Sequence, residues 1–169
     1  MLKIFNDLAP FFEDNYRRIH VREYAKIAQI SPPTASKTLA SFEKQRLLKK
    51  EIDKQYFYYV ANTSSSIFKD LQRIYWKQKL EEAGIVQIIQ DTFLDPTIIL
   101  FGSLVKVEAR QNSDIDIAIF SVSSGKMNLS MYESLMKREI QVFSFKNLGD
   151  VPNNLKKNIS NGYLLEGSW

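Results

Sequence analysis

The sequence contains no cysteine and a single histidine. The first absence excludes disulfides and thiolate metal sites, and the second leaves no pair of imidazoles to share a metal. His20 stands just before a helical segment, with no acid cluster beside it, and is read as a structural residue without a chemical role. Long apolar runs are also missing. The longest, such as Ile98 to Phe101 and Ile117 to Phe120, fall far short of the roughly 20 residues of a membrane-spanning helix, so no membrane segment is expected. Met1 to Asn6 lacks the basic and apolar regions of a secretory signal, which makes a cytoplasmic location the expectation. What is present is an ordinary folded composition, 44% hydrophobic and 25% charged over 169 residues. That argues against disorder and allows one ordinary domain or two small ones.

Charge divides the chain. Residues 1–80 carry 15 Lys and Arg against 8 Asp and Glu, net +7, while residues 81–169 carry 8 against 11, net −3. A basic half suits a polyanion, because each phosphate contact releases condensed counterions; an ordinary solvated basic surface has the same composition.

Within the basic half, Tyr24, Ile27, Ala28 and Ile30 recur at helical spacing with Arg22, Glu23 and Lys26 between them, which predicts a short amphipathic helix over Val21 to Ile30. Ser31 can cap a second helix by accepting from the Thr34 N–H, and Pro32 and Pro33 suit its first positions. Ala35, Leu39 and Phe42 fall on its apolar face, leaving Ser36, Lys37, Ala40, Ser41 and Lys44 on the others. Lys49 to Ile52 and Gln55 to Val60 predict two strands around an Asp53-Lys54 turn. Tyr56, Phe57, Tyr58 and Tyr59 fit either surface contacts or packing.

The segment VREYAKIAQISPPTASKTLASFEKQRLLKK resembles the winged-helix regulators of bacteria and archaea, over roughly residues 3–62. The resemblance implies double-stranded DNA as partner. Thr34, Ser36, Lys37, Ser41 and Lys44 would lie on or near the helix that enters the major groove, and Lys49, Lys50 and Lys54 would touch the backbone from the wing. Where the family often has glycine before the apolar pair leading into the wing, Arg46 precedes Leu47-Leu48, so the helix must end without a glycine cap. A winged helix serving protein contacts is the alternative.

Asn62 to Ser66 can cap a further helix that runs to Ala83, with Ile67, Leu71, Ile74, Tyr75 and Leu80 near helical spacing and Gly84 as its stop. Two readings stay open for residues 64–83: a homodimer interface, or packing within one subunit.

In the acidic half, Thr97 to Phe101 is a β-branched apolar run ending in Gly102-Ser103, where a sharp strand-to-helix turn is expected. Asp114-Ile115-Asp116 then opens a second strand, DIDIAIF. Alternation puts Asp114 and Asp116 on one face and Ile115, Ile117 and Ile119 on the other. Paired carboxylates on a buried strand repel unless a cation offsets them, and oxygen ligands at this spacing suit Mg²⁺.

The line FGSLVKVEARQNSDIDIAIF resembles the polymerase β-type minimal nucleotidyltransferases, whose hallmark is Gly-Ser, a spacer of this length, then Asp-x-Asp; the likeness extends over roughly residues 85–168. It implies a small mixed sheet flanked by helices. Gly102 and Ser103 would hold the phosphates of a nucleoside triphosphate, and Asp114 and Asp116 would be the catalytic, Mg²⁺- or Mn²⁺-holding acids. The family usually carries a third carboxylate on a neighbouring strand. Here the strand EIQVFSF places Gln141 at that position, a neutral amide unable to act as general base. Glu139, roughly 7 Å further along the chain, would substitute only with a shifted register.

The fold class expected is therefore α+β: a winged helix-turn-helix over residues 1–62, a connecting helix over 63–84, and a nucleotidyltransferase-like mixed sheet flanked by helices over 85–169. The functional expectation is a DNA-binding regulator whose C-terminal domain binds a nucleoside triphosphate and transfers a nucleoside monophosphate to an acceptor that the sequence does not name. Small family members often act as antitoxins that modify a partner protein, which keeps a protein acceptor open. A non-catalytic, nucleotide-sensing regulator is the alternative that the missing third acid favours. An interaction module that has lost both surfaces is opposed by the intact Gly-Ser and Asp-x-Asp.

Overall fold

The computed structural model describes residues 2–168. The chain divides into two compact units, one running through Gln72 and including Val107–Gln111, the other comprising Arg73–Lys106 and the chain from Asn112.

The first unit begins with α1 (Lys3–Glu13), which buries Phe5, Leu8, Phe11 and Phe12. Two helices follow, α2 (Val21–Ile27) and α3 (Pro32–Lys44), then a hairpin of β1 (Leu48–Asp53) and β2 (Tyr56–Ala61). Each start has a local cause. His20 caps α2, its Nδ1 accepting from the Glu23 N–H at 3.1 Å, so the lone histidine has a structural task. Ser31 caps α3 through the Thr34 N–H at 3.3 Å, with prolines at the first positions. Ala35, Leu39 and Phe42 are buried as their spacing predicts. Helix α3 does end without glycine, because Arg46 itself adopts the left-handed conformation, φ 59°.

Two expectations need correction here. Helix α2 stops at Ile27, and it buries Tyr24 and Ala25 while Ile27 is exposed. The hairpin turn is Lys54-Gln55, one residue later than expected. Both of its residues have positive φ, 45° and 75°, the signature of the primed turns whose twist matches paired strands.

The buried Asn15 side chain ties this unit together. Its Nδ2 donates to the Phe11 carbonyl (2.8 Å) and Gln72 Oε1 (2.6 Å), its Oδ1 accepts from the Ala109 N–H (2.7 Å), and its backbone N–H donates to the Ala109 carbonyl (2.9 Å).

Helix α4 (Ser66–Glu82) contributes to the first unit through Gln72 and to the second from Arg73. Its buried face is Phe68, Gln72, Tyr75, Trp76 and Leu80, whereas Ile67 and Ile74 of the expected stripe are exposed. Gly84, at φ 81°, leads into α5 (Ile85–Thr92), which buries Ile85, Val86 and Ile89.

The second unit is built on a four-stranded sheet of β3 (Thr97–Phe101), β4 (Ile115–Phe120), β5 (Ile140–Phe145) and β6 (Tyr163–Glu166), in the order β5-β4-β3-β6. β4 runs parallel to β5, while β3 is antiparallel to both β4 and β6. The remaining helices are α6 (Ser103–Lys106), α7 (Ser130–Met136) and α8 (Asn153–Ser160). One sheet face packs Ile99, Phe101, Ala118 and Phe120 with Val151 and with Ile159 of α8. The other face buries Ile98, Leu100, Ile115, Ile117 and Ile119. Each such side chain contributes on the order of 1.5–3 kcal/mol on leaving water. Among the described residues no helix is long and apolar enough to cross a membrane.

Candidate functional site

The paired acids lie at the edge of the sheet face that carries the Ile99–Phe120 core, just beyond the point where Phe101 ends β3. Strand pairing sets Phe101, Asp116 and Gln141 side by side on β3, β4 and β5. Gly102 follows at φ 77°, and a Cβ there would overlap the Asp116 carboxylate. Only glycine satisfies both the backbone angle and this close approach. Ser103 then opens the short helix α6.

Asp114 and Asp116 are both partly buried. Burial pushes the Asp116 carboxyl above its ordinary value, the Asp114 charge pushes it the same way, and Lys106 acts in the opposite direction. Lys106 ends α6, and its Nζ donates to Asn158 Oδ1 of α8 at 2.7 Å. Gln141 points at the acids, its Nε2 donating to Asp114 Oδ2 at 2.8 Å. The Ile115 N–H bonds the Glu139 carbonyl at 2.9 Å, which holds the register that puts Gln141 beside Asp116 and leaves Glu139 exposed.

Two site residues were not singled out from the sequence. Lys106 follows Ser103 by three residues, one helical turn, a spacing that could have flagged it. Arg138, 8% exposed, donates from Nη1 to the Ser113 carbonyl at 2.5 Å and lies 5.1 Å from the Trp76 ring centre, so it pins the segment leading into Asp114. No local pattern announces that role.

In the first unit, Ser36, Lys37, Lys44 and Lys54 are exposed with no partner among the described residues. Thr34 and Ser41 are exposed but engaged locally: the Thr34 hydroxyl lies 2.8 Å from Ser31 Oγ, and Ser41 Oγ accepts from Gln45 Nε2 at 3.1 Å. Lys49 Nζ donates to Ser64 Oγ at 3.5 Å, and Lys50 Nζ sits 4.0 Å from the Phe57 ring centre.

Residues 84–166 match the family model described as Polymerase beta, Nucleotidyltransferase. The matched segment, just under half of the chain, contains Gly102, Ser103, Lys106, Asp114, Asp116, Gln141 and the four-stranded sheet. The match associates this segment, at a coarse level, with nucleotidyl transfer. No curated protein and no solved structure matches the chain.

Proposed function

We propose that the second unit binds a nucleoside triphosphate together with a divalent cation and transfers the nucleoside monophosphate to a hydroxyl-bearing acceptor, whose oxygen bonds the α-phosphorus and gives up its proton as the α–β phosphoanhydride bond breaks and pyrophosphate leaves. The observation that carries this reading is the close approach of Gly102 to Asp116 inside the family-matched segment, with Asp114 on the same face. Among the described residues no group of three or more His, Cys, Asp or Glu gathers. Two carboxylates nonetheless fit Mg²⁺, which is commonly held by one or two acids plus the substrate's phosphates. Burial first, and the Asp114 charge second, raise the Asp116 carboxyl, a cost that a bound cation would relieve; Asp114 and Asp116 would be the protein ligands. The bound cation would supply charge neutralisation at the phosphates. Gly102 keeps the turn open to a phosphate, Ser103 offers a hydroxyl and a backbone N–H there, and Lys106 adds a cation on the same short helix.

The test is incubation of pure protein with nucleoside triphosphates labelled in the α-phosphate, Mg²⁺ or Mn²⁺, and cell extract. Label should appear on a macromolecule and vanish with Asp114→Ala. A protein that labels nothing while still binding triphosphate would select the second reading, a nucleotide-sensing regulator without transfer. The Gln141–Asp114 hydrogen bond favours that version, since an amide there can take no proton from an acceptor.

For the first unit the reading is a winged helix on duplex DNA. It is supported by the capped α3, its exposed Ser36, Lys37 and Lys44, and the hairpin lysines Lys49, Lys50 and Lys54. Lys37→Ala and Lys49→Ala should weaken duplex binding and reduce its salt dependence. Salt-independent binding, or none to any genomic DNA pool, would end this reading. A protein acceptor, and a homodimer through residues 64–83, are extensions that labelled-product identification and sedimentation decide.

A further inference from the structure

The hairpin carries aromatic surface that neither a helix in the major groove nor lysines on phosphates would use. Tyr59 is buried, but Tyr56 is 67% and Phe57 49% exposed. With Tyr58, His20 and Arg22 they line a groove of about 490 Å³, within the range of small-ligand sites. Tyr56 and Tyr58 share one face of β2. Arg18 holds Tyr58 in place, its guanidinium carbon 4.6 Å from the ring centre, and the His20 ring meets Tyr58 edge-on at 6.3 Å.

Charge around the groove is sorted. Glu51 and Asp53 share the one Arg18 guanidinium, each at 3.2 Å, so one of the two acid charges near the groove is offset. Arg22 on the groove wall and Lys54 on the turn are exposed and have no carboxylate partner among the described residues. Arg22 and Lys54 outweigh the remaining acid charge, which leaves a small positive excess beside exposed aromatic rings. Such a surface is complementary to a polyanion that offers flat apolar faces. In a duplex those faces are stacked on one another and cannot be reached, whereas an unpaired strand presents them.

We propose that this groove is a stacking site for the bases of a single-stranded nucleic acid, with Tyr56 as the platform and Arg22 and Lys54 on the phosphates. The site is separate from the α3 surface, shares Lys54 with the hairpin lysines of the duplex reading, and is independent of the chemistry at Asp114 and Asp116.

The test uses the full chain and three probes: a fluorescent short oligothymidylate, a mixed-sequence duplex, and thymidine monophosphate as competitor. The single strand should bind with affinity that falls as salt rises. The monophosphate should compete only at far higher concentration, which separates a strand from a free nucleotide as the natural occupant. Tyr56→Ala should weaken strand binding roughly 5- to 150-fold, leaving duplex binding and thermal stability unchanged because the side chain is exposed. Tyr56→Trp should retain it. Asp114→Asn should also retain strand binding even if it loses triphosphate, so failure of the transferase reading stays distinguishable. No binding of the strand, strand affinity unchanged in Tyr56→Ala, or equal losses for strand and duplex would each overturn the proposal.

Discussion

Glutamate is the isostere of glutamine, so Gln141→Glu changes charge at the site with little change of shape. In the absence of metal, the 2.8 Å donation from Gln141 Nε2 to Asp114 becomes a contact between two carboxylate oxygens. Losing a hydrogen bond to a charged acceptor costs about 1.5–3 kcal/mol. Two like charges about 4 Å apart repel by about 4 kcal/mol at an effective dielectric constant of 20. Proton uptake limits the damage, since keeping one carboxyl protonated at pH 7 against a pKa near 4 costs about 4 kcal/mol. The expected loss is therefore on the order of 5–7 kcal/mol, a fall in Tm of roughly 10 °C or more. Lowering the pH should shrink the deficit, because the added carboxyl has a raised pKa and its proton relieves the repulsion. A divalent cation at about 100 times its Kd should return about 2.7 kcal/mol, more than the wild type gains. The assay is thermal unfolding at several pH values, with Mg²⁺ and with chelator, for wild type, Gln141→Glu and the uncharged control Gln141→Met. If Gln141→Glu melts with the control in chelator, or gains no more from Mg²⁺ than wild type does, Gln141 does not face the acids.

Three further outcomes follow from the geometry. Gly102→Ala should abolish triphosphate binding in calorimetry and cost at least about 1 kcal/mol, because its Cβ meets Asp116 and its φ of 77° favours glycine; wild-type affinity in this variant would refute the placement of Asp116. Asp116 has a raised carboxyl, so the native state binds its proton more tightly than the unfolded chain does. The stabilisation that Asp116 contributes without metal should then be fully present below the ordinary carboxylate value and be lost as pH rises through the raised one; Asp116→Asn should remove that loss, as a pH series of melting curves for the two proteins would show. Asn15→Ala should destabilise the first unit by about 1–3 kcal/mol in urea titrations, since the buried Ala109 N–H loses its acceptor; an unchanged midpoint would discount that bond.

Signals confined to a few residues were legible in the sequence. The apolar run ending at Gly102-Ser103 and the alternation of DIDIAIF foretold β3, β4 and the common face of the acids, because burial forces the period-two pattern. The Ser31 cap and the Ala35–Leu39–Phe42 stripe foretold α3 for the same kind of reason. Helix α4 was less legible, since Ile67, Leu71 and Ile74 compete with Phe68, Tyr75 and Trp76 for the inside. Tertiary partners decide it: Phe68 packs on Phe12 with ring centres 5.0 Å apart, and Gln72 bonds Asn15. The hairpin turn escaped because Lys54-Gln55 takes positive φ without glycine or asparagine. Arg138 escaped because its partners, Trp76 and the Ser113 carbonyl, are distant in sequence. Lys106 gains its meaning only when α6 is folded back beside Asp116.

The central claim is that Gly102, Ser103, Asp114 and Asp116 form a metal-dependent nucleotide site. Isothermal titration of the full chain with each nucleoside triphosphate, in Mg²⁺ and then in chelator, tests it directly. Binding should require the cation and should disappear when Asp114 and Asp116 are both changed to Asn. Binding of equal strength in chelator, or binding that survives the double substitution, would contradict the account.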